Sequence, residues 1–440
     1  MKSDLPKVLQ PLAGAPLLAH VVSRARVLQP SSIHVVYGHG GDVVRAAIKD
    51  ADLHWALQAE QLGTGHAVMQ AMPNVADDEL VLVLYGDVPL IDAGTLRQLV
   101  DAASAKSMSL LTMMLEDATG YGRIVRKRGA IQAIVEQKDA SKAQLKIREG
   151  NSGIMAVPAK LLRKWLGKLR NANAQGEYYL TDVIAMAVKD KIKVTPLIAP
   201  TLAEVLGVND KAQLAELEAL YRATRARELM RDGATVIDPA RLDVRGEVKL
   251  GRDVVIEPNV MFEGMVSLGD RVRVGPNVVL RDVSIGADSV IHPNSVLEQS
   301  ELGTGCLVGP YARVRPGSKL GANSHVGNFV ELKKTVLGEG SKANHLTYLG
   351  DAVIGKGVNV GAGTITCNYD GVNKATTTIE DGAFIGSGNM LVAPVRIGKD
   401  ATTGAGSTIT KDAPDGQLTL TRAKQMTIEG WKRPRKSDKK

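Results

Sequence analysis

The most regular feature of this sequence is a row of mostly apolar residues between Leu250 and Ile409, spaced six apart with occasional steps of five. A period of six fits neither an amphipathic helix nor a flat sheet. It is typical of a parallel β-helix, in which each hexapeptide forms a short strand and a turn, and three hexapeptides make one coil. Each row residue is expected to point inward, and the small residue that often follows it turns a corner where a side chain would clash. More than twenty positions keep this register, which excludes a chance rhythm. The row consists of Leu250, Ile256, Phe262, Leu268, Val274, Leu280, Ile285, Ile291, Leu297, Leu302, Val308, Val314, Leu320, Val326, Leu332, Leu337, Ala343, Leu349, Ile354, Val360, Ile379, Ile385, Leu391, Ile397, Thr403 and Ile409.

The first 200 residues alternate apolar runs with stretches of helical spacing, which indicates an α/β domain with a mostly parallel sheet. A charged stretch at 210–232 ends at Gly233 and predicts a linking helix. We therefore expect an α/β domain over 1–211, a linker helix over 212–232 and an all-β, β-helical domain over 233–440. The runs predicted as strands are 33–38, 79–87 and 150–158, and the stretches predicted as helices are 42–50, 64–72, 93–104, 159–169 and 180–190.

Composition narrows the class of protein only slightly. Cys306 and Cys367 are the two cysteines in 440 residues, which suits the reducing cytoplasm. The sequence has no apolar run long enough for a membrane span and no apolar signal segment, so we expect no membrane insertion. The net charge is +8, but the last ten residues hold six Lys or Arg and one Asp, or +5, which leaves +3 for the rest. A basic tail at 431–440 is more often a solvated terminus than a nucleic-acid-binding arm, so we expect no nucleic-acid partner.

Three features of the first domain are candidates for binding a charged ligand. Asp87 follows the apolar run "LVLY", and a carboxylate at the carboxyl end of a strand can bind a hard cation or simply cap the next loop. Gly63, Thr64 and Gly65 lie at the start of a predicted helix, where backbone amides could meet a nucleobase or phosphate or form a plain N-cap. Lys7 could neutralise a phosphate or lie in solvent.

In the β-helix, functional side chains are expected where the repeat is interrupted. The longest interruption, "TCNYDGVNKATTT" at 366–378, is too polar for a coil and is predicted to be an extruded loop. His345 lies shortly before this loop, with Arg315 and Lys333 one coil apart upstream. Asn359 and Asn368 lie downstream, and stacking of the coils could bring all of them to one groove. The alternative is a set of exposed, solubilising residues on a structural solenoid.

Several motifs together resemble one family of bacterial enzymes. "SDLPKVL", "LQAEQLGTGHA", "LYGDVPL", "GYGRIVR", "IVEQKDA", "GEYYLTD" and "GVND" in the first domain, followed by the whole repeat, are similar to enzymes in which a UDP-N-acetylglucosamine pyrophosphorylase is fused to a glucosamine-1-phosphate N-acetyltransferase. The resemblance covers essentially all 440 residues. It implies a Rossmann-like nucleotidyltransferase domain and a left-handed β-helix, with magnesium as cofactor.

The resemblance also implies the substrates and the order of the reactions. Acetyl-CoA would first acetylate glucosamine-1-phosphate, and UTP would then react with N-acetylglucosamine-1-phosphate to release pyrophosphate. The product would serve peptidoglycan and lipopolysaccharide synthesis, and hence cell-wall biogenesis and cell shape, and the chain would form a cytoplasmic homotrimer.

The roles implied for single residues follow from the same resemblance. His345 would be the general base for acetyl transfer, and Asp87 and Asn209 would be the magnesium ligands. The implied uridine and sugar-nucleotide contacts are Lys7, Gln58, Gly63, Thr64, Tyr85, Gly86, Asp87, Gly122, Glu136, Asn151 and Asn209. The implied contacts of the acceptor sugar phosphate are Arg315, Lys333, Tyr348 and Asn359, and those of acetyl-CoA are Ala362, Asn368, Tyr369, Ser387, Ala405 and Arg422, with Lys374 on the same loop.

The sequence departs from the family at its start. A Gly-rich loop, "LAAGxGTRM", follows the first strand in the family, and Met1 matches the final Met of that motif. The first strand of the family is therefore interpreted as missing from this sequence, which leaves two hypotheses. In the first the chain is bifunctional; in the second only the acetyltransferase is active, because the phosphate loop is lost. In a third hypothesis the protein is not an enzyme. It would be a non-catalytic scaffold, or a nucleic-acid binder that uses the basic tail.

Overall fold

The computed structural model describes residues 1–38 and 40–433, which form two compact units. The first unit is Met1–Tyr221, and the second begins at Arg222. The division lies inside one helix, Lys211–Arg231, within the segment predicted as a linker. Most of the predicted basic tail, 434–440, lies outside the described residues, and 431–433 are exposed.

The first unit alternates helices with strands, as the apolar pattern predicts for an α/β domain. The predicted strand at 79–87 is shorter in the structure and ends at Val83. The strands are Pro11–Leu12 (β1), Ala15–Pro16 (β2), Ile33–Tyr37 (β3), Leu53–Leu57 (β4), Leu80–Val83 (β5), Ser107–Met114 (β6), Arg123–Lys127 (β7), Ala130–Val135 (β8), Glu149–Pro158 (β9) and Lys193–Ile198 (β10). The helices are Leu17–Val27 (α1), Gly41–Ala47 (α2), Thr64–Ala71 (α3), Ala93–Asp101 (α4), Ala159–Leu166 (α5), Asp182–Lys189 (α6) and Lys211–Arg231 (α7).

The main sheet of this unit is mixed, so the prediction of a mostly parallel sheet is wrong. β9 pairs antiparallel with β5, β6 and β7, and among the strands that the structure describes in this sheet, β10 with β6 is the one parallel pair. The reason is that β7 and β8 form an antiparallel hairpin, and the chain then returns along β9 in the direction opposite to β5 and β6. An apolar run such as β9 reads the same in either direction, so the sequence pattern does not reveal this reversal.

A second, separate ribbon in this unit consists of β3 and β4, which pair in parallel. β3 is not paired with β5 in the described residues, and a cavity of about 810 Å³ lies between them. Its walls are mainly apolar, and its polar lining includes Lys7, Thr64 and Tyr85. At the other end of β3 and β5, Ser31 donates a hydrogen bond to Glu79 at 2.8 Å. The cavity therefore connects the interior of this unit with the residues predicted to bind the nucleotide.

The second unit is a stack of short parallel strands, each of two to nine residues. Eleven strands form one continuous sheet and fifteen form another, and every pairing within them is parallel. Together they build the parallel β-helix that the six-residue period predicts. The strands are Thr235–Val236 (β11), Leu242–Leu250 (β12), Val255–Ile256 (β13), Val260–Leu268 (β14), Arg273–Val274 (β15), Val279–Ile285 (β16), Val290–Ile291 (β17), Val296–Leu302 (β18), Leu307–Val308 (β19), Arg313–Val314 (β20), Lys319–Leu320 (β21), His325–Asn328 (β22), Glu331–Lys333 (β23), Val336–Leu337 (β24), Lys342–His345 (β25), Tyr348–Gly350 (β26), Ala352–Ile354 (β27), Asn359–Val360 (β28), Ile365–Cys367 (β29), Thr377–Ile379 (β30), Phe384–Ile385 (β31), Met390–Val392 (β32), Val395–Ile397 (β33), Thr402–Thr403 (β34), Thr408–Ile409 (β35) and Leu418–Thr419 (β36).

The row of apolar residues forms the core of this β-helix. Leu297, Val314, Leu332 and Leu349 illustrate the stacking, because each lies beside the next in register and all are fully buried. Leu250, at the start of the row, is only partly buried, and all other row residues are at most 5% exposed. Burial of this mostly aliphatic core supplies the main stabilising free energy of the unit.

One corner of the β-helix carries a ladder of residues in the left-handed conformation. Asn259 donates to Asn277 at 2.9 Å, and Asn277 donates to Asn294 at 3.1 Å, each with positive φ. The same corner of later coils holds an apolar ladder, which we define as Tyr311, Phe329 and Leu346. In the coils after Leu346, glycines occupy this corner position. The corner therefore carries large side chains up to Leu346 and no side chain beyond it. These glycines are Gly363, Gly388 and Gly406.

Among the residues that the structure describes, no helix has the length and apolar character needed to cross a membrane.

Candidate functional sites

Lys7, Asp87 and Asn209 meet at one point of the first unit. The ammonium of Lys7 lies 2.6 Å from Asp87 Oδ2 and donates to Asn209 Oδ1 at 3.1 Å. Lys7 is carried by the short turn at Lys7–Leu9, Asp87 follows β5, and Asn209 precedes α7. Three segments that are distant in sequence thus bring two oxygen ligands and one cation together.

This cluster fits a divalent cation. Carboxylate and amide oxygens are hard ligands, and Mg²⁺ typically takes one or two of them from the protein and completes its shell with water and substrate phosphates. Asp87 Oδ2 and Asn209 Oδ1 converge on a single position, which the ammonium of Lys7 occupies in this structure. The donor set therefore suits a phosphate-bridging ion.

Tyr85, Gly122, Glu136 and Asn151 form a second group beside this cluster. A Cβ on Gly122 would lie 3.4 Å from both oxygens of Glu136, and Asn151 N donates to Gly122 O at 2.9 Å. Burial raises the pKa of Tyr85 to about 12, with further contributions from the nearby charges of Glu136 and Asp87. Burial likewise raises the pKa of Glu136. The group therefore presents hydrogen-bonding atoms in a largely buried environment, which suits recognition of sugar hydroxyls.

Gln58, Gly63 and Thr64 form the third group, at the start of α3. Gln58 Nε2 donates to Gly63 O at 3.2 Å, and Thr64 Oγ1 accepts from Leu180 N at 3.2 Å. Gly63 has φ +103°, and a Cβ there would lie 2.8 Å from the side chain of Glu177, so glycine is required at this position. The segment 62–65 therefore packs closely against 177–180.

Thr181 joins the second and third groups. Its hydroxyl donates to Glu136 Oε1 at 2.9 Å, immediately after the contact between Thr64 and Leu180. Thr181 is nearly fully buried and was not among the predicted site residues, although it belongs to the quoted motif "GEYYLTD". The predicted residues of this unit, with Thr181 and Leu180 between them, therefore form one continuous set of neighbours, with Gly86 packed against Val8 near the cluster.

In the second unit, one column of side chains, formed by equivalent positions in successive coils, alternates between positive and negative charge until two positive residues follow each other. Arg245, Glu263, Arg281 and Glu298 occupy successive coils, and Arg281 bonds Glu263 at 2.5 Å and Glu298 at 2.8 Å. The next two positions of the same column are both basic, as the register places Arg315 beside Lys333.

Arg315 and Lys333 are adjacent like charges, because neighbouring strands lie only about 4.8 Å apart. Arg315 pairs with Glu331 at 2.8 Å, and Lys333 lies 4.0 Å from Asp351. Side-by-side cations on a β-helix repel each other unless an anion lies between them. This pair is therefore the position in the column best suited to hold a phosphate.

His345 lies on β25, and its ring is fixed by one neighbour. His345 Nδ1 is 3.1 Å from Asn328 Oδ1, in the equivalent position of the preceding coil. An amide oxygen accepts only, so a neutral ring that donates from Nδ1 keeps Nε2 unprotonated and able to take up a proton. Asn328 was not predicted from the sequence; its position seventeen residues before His345, one coil earlier, is the signal that could have found it.

Three of the residues predicted to contact acetyl-CoA continue the column of His345. Gly363 N bonds His345 O, Gly388 N bonds Ala362 O and Gly406 N bonds Ser387 O, which places His345, Ala362, Ser387 and Ala405 in successive coils. The side chains after His345 are small, and three coil steps span about 14 Å. Arg422 lies at the far end, with Nη2 3.8 Å from a Cβ built on Gly404. The result is an open track, defined as Ala362, Ser387 and Ala405, with a histidine at one end and a guanidinium at the other.

The remaining predicted residues are arranged less tightly. The loop at 368–376 projects between β29 and β30, as the interruption of the repeat predicts. Asn368 donates to Asp351 at 2.6 Å, on the side of Lys333, whereas Tyr369 is exposed and bonds Gly371 O. In the described residues, neither bonds the track. The Tyr348 hydroxyl lies close over Gly350 in the coil after Lys333, and Asn359 is on β28.

Comparisons with known proteins match both units. A family model described as a MobA-like NTP transferase domain matches residues 1–236, and one described as a bacterial transferase hexapeptide (six repeats) matches 376–411. The chain is similar to three curated relatives called "Bifunctional protein GlmU". Those of Azoarcus sp. (strain BH72), Nitrosospira multiformis and Chromobacterium violaceum are 58%, 55% and 56% identical, over 99%, 100% and 99% of this chain and 96% of each relative. The prediction of a nucleotidyltransferase domain joined to a left-handed β-helix of hexapeptide repeats is confirmed.

Proposed function

This chain belongs to the family of bifunctional GlmU proteins, and from that premise we propose the two reactions that it catalyses. Acetyl-CoA acetylates the amine of glucosamine-1-phosphate, and UTP then reacts with N-acetylglucosamine-1-phosphate to give UDP-N-acetylglucosamine and pyrophosphate. The observation that carries the proposal is the extent of the similarity, because relatives 54–58% identical match 99–100% of the chain and so include both units. The product supplies cell-wall and peptidoglycan synthesis, and we extend this to lipopolysaccharide precursors and cell shape.

Acetyl transfer is assigned to the second unit. His345 Nε2 accepts a proton from the substrate ammonium or amine, the nitrogen attacks the thioester carbon, and the C–S bond breaks to release coenzyme A. Asn328 favours the tautomer that this step needs, because its amide oxygen accepts from Nδ1. The track leads away from His345, which suits an extended thioester arm that ends near Arg422.

The acceptor sugar is held by its phosphate. Arg315 and Lys333 provide two positive charges in one column, and a phosphate between them would relieve their mutual repulsion through charge-assisted hydrogen bonds. Tyr348 and Asn359 are assigned to the sugar ring. Asn368 and Tyr369, with Lys374, are assigned to acetyl-CoA as residues of the projecting loop.

Uridylyl transfer is assigned to the first unit. An oxygen of the sugar phosphate attacks the α-phosphorus of UTP, and the bond to pyrophosphate breaks. Asp87 and Asn209 would hold magnesium, which when bound neutralises phosphate charge and aligns the two reactants. Lys7 then contributes its charge to the same phosphates, while Gln58, Gly63 and Thr64 receive the base and Glu136 and Asn151 the sugar. Nothing in the comparisons supports the alternative in which only the acetyltransferase is active.

A single mixture tests both reactions. The 440-residue chain, incubated with glucosamine-1-phosphate, acetyl-CoA, UTP and Mg²⁺, is expected to release coenzyme A and pyrophosphate and to form UDP-N-acetylglucosamine. Leaving out acetyl-CoA should stop both signals, and leaving out UTP should stop only pyrophosphate release. If the complete mixture accumulates N-acetylglucosamine-1-phosphate and releases no pyrophosphate, only the acetyltransferase is active and the proposed uridylyl transfer is wrong. Release of neither product would overturn the proposal.

We also propose that the chain is a cytoplasmic homotrimer. The two unpaired cysteines, Cys306 and Cys367, suit a reducing compartment. The apolar ladder leaves Tyr311, Phe329 and Leu346 53–64% exposed in a single chain, with the rings of Tyr311 and Phe329 stacked at 5.4 Å. Such a strip next to a substrate site is suited to contact a neighbouring copy.

Sedimentation tests the assembly. The unmodified chain is expected to sediment as three copies at micromolar concentration, and Phe329→Glu to shift it to one, because the substitution places a charge in the apolar ladder. Val353→Glu, an exposed aliphatic position on another column of the β-helix, is the matched control and should remain trimeric. A monomeric unmodified chain would contradict the trimer, and a trimeric Phe329→Glu variant would place the contact elsewhere.

A further inference from the structure

Gln10 is a buried polar residue that lies behind the cluster of Lys7, Asp87 and Asn209. It is 1% exposed, and its side chain bonds residues that lie on either side of the cluster rather than the three cluster side chains. The amide group donates to Ser3 Oγ at 3.1 Å and to Leu5 O at 2.9 Å, and its oxygen accepts from the ammonium of Lys211. A buried amide with all of these bonds made is costly to disturb, because removal of any partner leaves a buried donor or acceptor of Gln10 unsatisfied.

The partners of Gln10 belong to the two segments that deliver the cluster. Ser3 and Leu5 lie just before Lys7, and the turn after Lys7 closes with a bond from Gln10 N to Lys7 O at 3.1 Å. Lys211 lies two residues after Asn209, at the first position of α7. One amide therefore ties the loop that carries Lys7 to the start of the helix that follows Asn209.

The backbone of Gln10 adds a third anchor. Its carbonyl accepts from Leu17 N at 3.1 Å, at the start of α1. The nearby apolar cluster of Leu12, Leu17, Val208 and Leu217 is fully buried. The side chain of Gln10 is thus fixed against a rigid base, whereas the ammonium of Lys7 is partly exposed and can reach its site only if its loop is held.

From these contacts we infer that Gln10 is a positioning residue for uridylyl transfer, which sets the position of Lys7 relative to Asn209 through its bonds to Leu5 and Lys211. The inference rests on the uridylyl transfer proposed above. Lys7 stabilises charge on the phosphates only when its ammonium lies at the correct distance, and a displacement of about 1 Å can lower a rate by about 100-fold. Gln10 supplies neither a proton nor a charge.

A double-mutant cycle between Gln10 and Lys7 tests the inference. In the full chain, Gln10→Leu is expected to lower kcat for uridylyl transfer by about 10- to 100-fold. In the Lys7→Ala background, the same substitution should change kcat by less than about twofold, because the residue that Gln10 positions is already gone. Two effects that multiply would show that Gln10 acts on something other than Lys7, and would overturn the inference.

Further variants distinguish positioning from general destabilisation. Gln10→Glu keeps an acceptor for Lys211 but cannot donate to Leu5, so it should resemble Gln10→Leu in activity. Lys211→Met removes the other bond from a partly exposed position, and should also lower kcat without loss of the folded state if Gln10→Leu proves unstable. Gln98→Leu, an exposed glutamine on α4, is the matched control and should be neutral. Full activity in both Gln10→Glu and Lys211→Met would refute the inference, whereas an inactive unmodified chain would refute the proposed uridylyl transfer instead.

Discussion

Replacement of His345 with alanine is expected to lower kcat for acetyl transfer by about 10²- to 10⁴-fold, the usual contribution of a positioned general base. The reason is that the attacking amine must lose a proton, and in the described residues His345 is the titratable group at the start of the track. Uridylyl transfer from N-acetylglucosamine-1-phosphate should keep its normal rate, because none of the residues assigned to it belongs to the second unit. Release of coenzyme A and of pyrophosphate, measured separately, checks both statements.

Two further variants make this prediction specific. His325→Ala removes a partly exposed histidine one coil away, beside Lys342, and should leave both activities unchanged. Lys333→Met should raise the KM for glucosamine-1-phosphate by about 10- to 100-fold and lower kcat little, since a charged hydrogen bond contributes about 1.5–3 kcal/mol to binding. Loss of both activities from a folded His345→Ala protein would contradict two independent sites.

Asp87→Asn is expected to have the second largest effect, a fall of about 10²- to 10³-fold in uridylyl transfer. The substitution keeps the size of the side chain but removes the negative charge that faces Lys7 and would bind magnesium. The concentration of Mg²⁺ needed for half-maximal rate should rise, because a neutral amide binds a hard cation more weakly than a carboxylate. Pyrophosphate release over a range of Mg²⁺ concentrations measures both quantities.

The control for this variant is another aspartate of the same unit. Asp77 forms an exposed ion pair with Arg163 at 2.9 Å, and Asp77→Asn should change neither the rate nor the Mg²⁺ dependence. Acetyl transfer should be normal in both variants and reports that the second unit is folded. A normal Mg²⁺ dependence in Asp87→Asn would remove Asp87 from the metal site.

The sequence predicts the β-helix accurately because one side-chain preference is repeated in every hexapeptide. Leu332 or Ile385 must be apolar regardless of the neighbouring loops, since each fills the interior of its own coil. The same repetition marks candidate functional residues, because they are the positions that depart from it. Arg315 and Lys333 stand out because their column otherwise alternates in charge, and the loop at 368–376 because it breaks the period.

The first unit is harder to predict because its strands carry no directional signal. β9 was predicted as a strand, but its antiparallel course depends on the β7–β8 hairpin, whose turn residues are not distinctive. Thr181, Asn328 and Gln10 were missed for a related reason. Each acts through a partner distant in sequence, and a hydroxyl or amide side chain alone does not identify that partner.

The register of the β-helix restricts how its length can change. Most neighbouring coils are related by seventeen or eighteen residues, the coil that holds the 368–376 loop is longer at twenty-five, and every column of side chains depends on these offsets. Deletion of a whole coil would rejoin strands that already carry equivalent side chains. Deletion of a single hexapeptide would turn everything downstream by one third of a circuit, so that the residues after His345 would no longer lie on its corner. The distance between His345 and Arg422 can therefore change only in steps of one whole coil. The length of ligand that fits between these two residues is fixed by the number of coils.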